Sequence, residues 1–176
     1  MTNGRVKGSV AEREVAGMLA AWWRTIEPAA EFVRTPLSGG WSTPTVRSGF
    51  RASGDIMTTS PTFPFAVEVK RREGFAWSTL LAGRASPVWG WWGQATKAAR
   101  EQGGTPMLWL KHNGEPWRVI VPVGFLEGLG PLFPRRFAYA KRLSFPEGGE
   151  VSIVAARALL AVPAARVADL LPVTGR

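Results

Sequence analysis

The stretch Phe65-Ala66-Val67-Glu68-Val69-Lys70-Arg71-Arg72 sets a carboxylate and an ammonium two residues apart in what otherwise reads as a buried strand. Strand side chains alternate between faces, so Ala66, Glu68 and Lys70 share one face, and Phe65, Val67, Val69 and Arg71 the other. A strand this apolar is expected in the middle of a sheet, where an unpaired charge is costly. Two readings follow. In one, Glu68 and Lys70 are an ion pair at a strand end near the surface. In the other, Glu68 holds a divalent cation and Lys70 faces the same phosphate, which is half of a site for metal-dependent phosphodiester hydrolysis. Upstream, Ser53-Gly54-Asp55-Ile56-Met57 carries a second carboxylate at the start of another strand, and this favours the second reading. A turn over residues 60–64 would pair that strand antiparallel with the central one and bring Asp55 to the end that carries Lys70.

A third acid comes from the first helix, expected over residues 9–26. Val15, Met18, Leu19, Trp22, Trp23 and Ile26 recur at three- and four-residue steps, and the same face extended backwards reaches Glu12. The competing reading is a capping box, with Ser9 as N-cap and Glu12 bonding back to the backbone. Arg13 points elsewhere and suits contact with DNA. Pro28 ends the helix, and residues 31–34 read as a short strand. A long Ser-, Gly-, Pro- and Thr-rich loop follows over residues 35–51, in which Gly39 and Gly40 would let the backbone approach a phosphate. No Gly-Lys-Ser/Thr follows, so it is not a phosphate-binding P-loop.

Residues 73–88 form a connection, and a helix is expected over residues 89–101, with Trp91, Trp92, Ala95, Ala98 and Ala99 on one face and Gln94 at its border. Gly103-Gly104 stops it. Residues 107–110 read as a buried strand parallel to the central one, reached by a crossover. Asn113-Gly114 signals a hairpin leading to residues 117–121, with the lone His112 a surface residue beside it. Beyond Pro122 come a short helix over 124–129, a basic-aromatic stretch over 133–137 continued by Lys141-Arg142, strand or helix over 151–160, and a closing helix over 164–171. Residues 1–122 are the expected core, and 123–176 an extension that packs on it, serves a dimer interface, or both.

The chain of 176 residues has 45% hydrophobic content, enough for one domain with a real core. It has no cysteine, which excludes disulfides, a thiolate nucleophile and a cysteine-bound zinc. No apolar run is long enough to span a bilayer and no signal-peptide core is visible, so a cytoplasmic protein is expected, in a prokaryote or a phage-infected host cell. The net charge of +9 favours a polyanion. Because the basic residues are dispersed among apolar elements, that charge belongs to a folded surface rather than a solvated arm. The nine tryptophans mostly occupy core positions in these patterns.

Lys7-Gly8-Ser9-Val10-Ala11-Glu12-Arg13-Glu14, Phe32-Val33-Arg34, Ser38-Gly39, Gly54-Asp55 and Glu68-Val69-Lys70 occur in an order that resembles Holliday junction resolvases of the archaeal and phage type. These belong to the PD-(D/E)XK nuclease superfamily. Gln94, the run from Gly104 to Trp109, Lys111 and Trp117-Arg118 extend the resemblance, which covers roughly residues 5–122. Gly54-Asp55 stands where Pro-Asp is usual, and the interval from Ser38 to Asp55 is longer than in the compact archaeal enzymes. The resemblance implies an α/β fold with a restriction-endonuclease-like core (αβββαβ) and a mixed five-stranded central sheet flanked by helices. It implies that Asp55 and Glu68 ligate a divalent cation with the Val69 carbonyl, and that Glu12 completes the cluster directly or through water. Oxygen ligands without His or Cys select Mg²⁺, with Mn²⁺ able to substitute. Lys70 would orient or help deprotonate the attacking water, Gln94 would position water or phosphate, and Ser38 joins the catalytic set. Arg5, Lys7, Arg13, Arg34, Ser38, Arg71 and Arg72 would contact DNA.

The function so implied is symmetric cleavage of four-way DNA junctions by a homodimer. The rivals are another nuclease of the same superfamily, of restriction or repair type, and a DNA-binding module whose acids are structural only. A membrane-surface protein ranks below these, since no basic amphipathic helix stands out.

Overall fold

Residues 65–69 are buried without a break because helices cover both faces of the sheet to which they belong. The computed structural model describes residues 4–36, 49–133, 141–146 and 149–173, with the side chains of residues 5–7, 53, 131 and 141 left out. In chain order the elements are α1 (Gly4–Trp23), β1 (Phe32–Arg34), β2 (Arg51–Ser53), β3 (Ile56–Thr58), β4 (Phe65–Arg71), α2 (Trp77–Leu81), α3 (Pro87–Gln102), β5 (Thr105–Lys111), β6 (Arg118–Pro122), α4 (Val123–Leu129), a 3-10 turn (Gly130–Leu132), β7 (Lys141–Phe145), β8 (Gly149–Ala155), α5 (Ala156–Leu160) and α6 (Ala164–Leu170).

The central sheet is five-stranded, in the order β4-β5-β6-β8-β7. β4 and β5 are parallel and joined through α3, and the remaining pairs are antiparallel, so the sheet is mixed as expected. Its alternation sorts the core into two layers. Phe65, Val67, Val69, Met107, Trp109, Val119 and Val121 pack with α1, α4, α5 and α6. Leu108, Leu110, Ile120, Val151 and Ile153 pack with α2 and α3. The stretch after Pro122 thus completes the sheet: β8 pairs with β6, and β7 with β8. Of the stretch over 151–160, the first half is strand and the second half helix.

α3 forms where its signals say. Ser86 is the N-cap, with its hydroxyl accepting from the Val88 N–H, Pro87 opens the first turn, and Gly103 closes the helix at φ 71°. α1 starts earlier than the apolar stripe suggests. It begins at Gly4, so Ser9 lies inside the helix, no capping box forms, and Glu12 falls on the buried face. Residues 4–8 contain no proline, and once the Val15–Trp23 face has docked, adding turns to its N-terminal end is inexpensive.

The pairing of β3 also differs from the expected hairpin. β3 pairs antiparallel with β1 and β2 in a separate three-stranded sheet, and its link to β4 is a parallel bridge between Gly54, just ahead of β3, and Val67. The intervening chain cannot make a tight hairpin. Thr58 Oγ1 accepts from the Ser60 N–H and Ser60 Oγ from the Phe63 N–H, and two prolines, Pro61 and Pro64, flank the bend. Phe63 then plugs the junction between the two sheets. It is fully buried and meets Phe32, Trp23 and Phe65 edge-on at 4.9, 5.1 and 5.6 Å between ring centres. Trp22 Nε1 donates to the Val162 carbonyl at 2.7 Å, which ties α1 to the turn before α6. Replacing Phe63 by Ala should lower the unfolding free energy by about 3–5 kcal/mol in urea titrations, and Phe63→Leu by less than about 2. Equal losses for both would show that this junction is not close-packed.

Candidate active site

β4 is an edge strand of the central sheet, and the turn Gly54-Asp55 is fastened to its free side. The Asp55 N–H donates to the Val67 carbonyl at 2.7 Å, and the Val69 N–H donates to Asp55 Oδ2 at 2.9 Å. The turn fits so closely that a Cβ on Gly54, whose φ is +79°, would lie 2.2 Å from the Val67 oxygen. Only glycine is compatible with both constraints, which accounts for Gly-Asp where Pro-Asp is usual. The next layer holds the turn from outside. The Thr35 N–H donates to the Asp55 carbonyl and Thr35 Oγ1 to the Gly54 carbonyl, both at 2.8 Å, while the Gly54 N–H donates to Gln102 Oε1 at 2.9 Å.

Glu12 from α1, Asp55 from the turn and Glu68 from β4 are all buried, and Glu68 and Glu12 lie near enough for their charges to act on Asp55. Glu68 pairs with Lys70 on the same face of β4, and Glu12 Oε2 accepts from Arg34 Nε at 2.9 Å. Asp55 has no such cation of its own, and its Oδ1 receives no hydrogen bond among the described residues. Burial, and then the negative charges of Glu68 and Glu12, push its carboxyl up to about 7 against the Val69 N–H and the Lys70 ammonium, which act to lower it.

The other expected residues are placed as follows. Gln94 is exposed on the outer side of α3, lining a surface groove with Gly90, Thr96, Lys97 and Arg100. Gln102, two turns on, is the glutamine that reaches the Gly54-Asp55 turn. Its signal was present, since Val88, Trp92, Ala95 and Ala99 make a stripe whose next position is 102 and not 94. Arg13 and Arg72 are exposed, and Arg71 Nε donates to Asn113 Oδ1 at 2.7 Å. Ser38 lies outside the described residues, as do the side chains of Arg5 and Lys7. Beside the site, Glu14 accepts from Lys111 Nζ at 3.0 Å and Trp117 Nε1 at 2.8 Å, and Lys111 Nζ lies 4.6 Å from the centre of the Trp117 ring. His112 is half-buried beyond β5, with Nε2 3.0 Å from the Phe75 carbonyl oxygen.

The sequence pattern of the family described as "Phage putative PDDEXK endonuclease" matches residues 3–135. The chain belongs to that family. It is therefore a member of the PD-(D/E)XK nuclease superfamily, and the matched region contains every element that contributes Glu12, Asp55, Glu68 and Lys70. No curated protein and no solved structure matches the chain. Among the described residues, no helix is long and apolar enough to cross a membrane.

Nucleases of this superfamily are typically metal-dependent. Among the described residues, no group of three His, Asp or Glu is gathered closely enough to hold an ion, and two of the three acids are paired with cations instead. The donor set nonetheless fits a hard divalent ion. It consists of carboxylates, of which Asp55 is buried with an oxygen to spare, and of the Val69 carbonyl. The N–H and C=O of one strand residue point to the same side, so the Val69 carbonyl, like its N–H, faces the free edge of β4 where Asp55 sits.

Two expectations follow from this geometry. Gly54→Ala should cost roughly 2–4 kcal/mol of stability, because it strains the positive φ and collides with β4; a loss below 1 kcal/mol (about one buried methylene) in urea titration would mean the turn is not held against Val67. In the metal-free protein, the raised Asp55 pKa means the folded state binds that proton more tightly than the unfolded chain. Stability therefore falls as pH rises from about 4 to about 7, and a bound divalent cation offsets the loss. Thermal melts across that window should show a shallower decline for Asp55→Asn than for wild type, and Mg²⁺ should raise the neutral-pH Tm of wild type only. Parallel profiles, or equal Mg²⁺ shifts, would contradict the assignment.

Proposed function

We propose that the protein is a divalent-metal-dependent endodeoxyribonuclease whose catalytic residues are Glu12, Asp55, Glu68 and Lys70. The observations that support this reading are that Glu68 and Glu12 act electrostatically on buried Asp55 at the free edge of β4, that Lys70 pairs with Glu68, and that the chain belongs to an endonuclease family. Asp55, Glu68 and the Val69 carbonyl would hold Mg²⁺, with Mn²⁺ able to substitute, and Glu12 would join them directly or through water. A bound divalent cation would make hydroxide accessible near neutral pH and offset charge on the scissile phosphate.

The protein's own groups supply the rest. Lys70 shares a face of β4 with Glu68 and is held by it, so its ammonium is positioned to orient the attacking water and to balance charge building on the phosphate. The Val69 N–H fixes one oxygen of Asp55 and leaves the other for the cation. Exposed Arg13 and Arg72, partly exposed Arg34 and Arg71, and the net charge of +9 support binding through the DNA backbone rather than base edges.

The narrower reading is resolution of four-way junctions by a homodimer, with Ser38 assisting. The order of the motifs favours it, while the family description speaks of an endonuclease without junction preference. Cleavage of a mobile four-way junction and of a matched linear duplex, with and without Mg²⁺, separates these readings. Mg²⁺-dependent cutting is expected and should fall at least about 10²-fold in Asp55→Asn, with DNA binding retained. Equal cutting of both substrates would remove the junction reading and keep the nuclease. Wild-type cutting by Asp55→Asn would remove the site.

A further inference from the structure

The two cations that neutralise the acids are not equivalent. Lys70 sits two residues from Glu68 on the same strand, and its side chain is 17% exposed. Arg34 stands at the end of β1 with its side chain 35% exposed, against 11% for Glu12. Only its Nε is used by Glu12, and its terminal nitrogens have no partner among the described residues. A partly exposed ion pair is a weak contact, whereas a guanidinium binds phosphate through two parallel hydrogen bonds. A DNA phosphate arriving at the rim therefore competes for Arg34 and leaves the Lys70–Glu68 pair in place. The neighbouring residue, Thr35, grips the backbone of Gly54 and Asp55 with its N–H and hydroxyl, so β1 joins the arginine directly to the acidic turn.

We infer that Arg34 is a substrate-released counter-ion, which holds Glu12 while DNA is absent and frees it for the metal site when a phosphate takes the guanidinium. The charges agree with this. Once a bound cation has displaced the proton from Asp55, the three acids with Arg34 and Lys70 both in place carry one uncompensated negative charge; with Arg34 withdrawn they carry two, matching a divalent cation. Substrate and metal then bind cooperatively, and the protein holds metal weakly until DNA is present. Arg34 acts here as a positioning residue. The inference rests on the reading that DNA is the substrate.

The test is the thermodynamic coupling between Ca²⁺ and a short linear duplex on the full-length protein. Ca²⁺ affinity is measured calorimetrically with and without duplex, and folding of each variant is checked by its melting temperature. For wild type, the duplex should tighten Ca²⁺ binding about tenfold or more, and Ca²⁺ should tighten duplex binding by the same factor. Arg34→Met should bind Ca²⁺ without DNA nearly as tightly as wild type does with it, so that its coupling drops to about threefold or less. Arg34→Lys, which keeps the charge, should retain more coupling than Arg34→Met, and Glu12→Gln should lose the coupling without the gain in Ca²⁺ affinity. Coupling unchanged in Arg34→Met, in a protein that still binds and cuts DNA, overturns the inference alone. A wild-type protein that binds and cuts neither the duplex nor a four-way junction overturns the DNA reading and the inference with it.

Discussion

Two hydrogen bonds to backbone groups on the free edge of β4 fix the position of Asp55. One runs from the Asp55 N–H to the Val67 carbonyl and the other from the Val69 N–H to the Asp55 carboxylate, at 2.7 and 2.9 Å. They occupy edge groups of β4 that would otherwise be open to another strand. They also place one acid beside the next strand residue that carries an acid. Gly54 makes this approach possible, and Thr35 and Gln102 hold it from behind. The small sheet, the Phe63 plug and the start of α1 can all be understood as the support for that one contact.

The cost of the arrangement is electrostatic. Three buried carboxylates repel one another, and burial weakens their hydration. The structure answers with Lys70 and Arg34 for two of them and leaves Asp55 to carry the strain, which is why its carboxyl is displaced upward. The result is stable enough to fold with its counter-ions and short of positive charge at one position, which is the balance the proposed cation site requires. The remainder of the molecule is ordinary packing, with helices on both faces of a mixed sheet and buried tryptophans filling the two layers.

Much of this was legible in the sequence because it rests on local periodicity. The alternation in residues 65–72 put Glu68 and Lys70 on one face, and the three-to-four spacing of α1 aimed Glu12 inward. Ser86-Pro87 and Gly103 bounded α3, and Asn113-Gly114 marked the hairpin after β5. What was hidden depends on contacts between distant segments. The parallel bridge from Gly54 to Val67 cannot be read from either segment alone, and the short turn before β4 suggested a hairpin instead. The strands after Pro122 are identified only when β8 finds β6. A capping box at Ser9 was a reasonable local reading that lost to a helix extending further back. Gln94 was chosen by its place in a motif, whereas the buried stripe of α3 carries Gln102 to the turn.

The central claim is that Asp55, Glu68 and the Val69 carbonyl form one cation site at the edge of β4. Anomalous scattering from crystals of the wild-type protein grown with Mn²⁺ tests it most directly. The account predicts a Mn²⁺ peak within bonding distance of both carboxylates and that carbonyl oxygen, at about 2.0–2.3 Å. A peak elsewhere, with Asp55 and Glu68 sharing no ion, would contradict it.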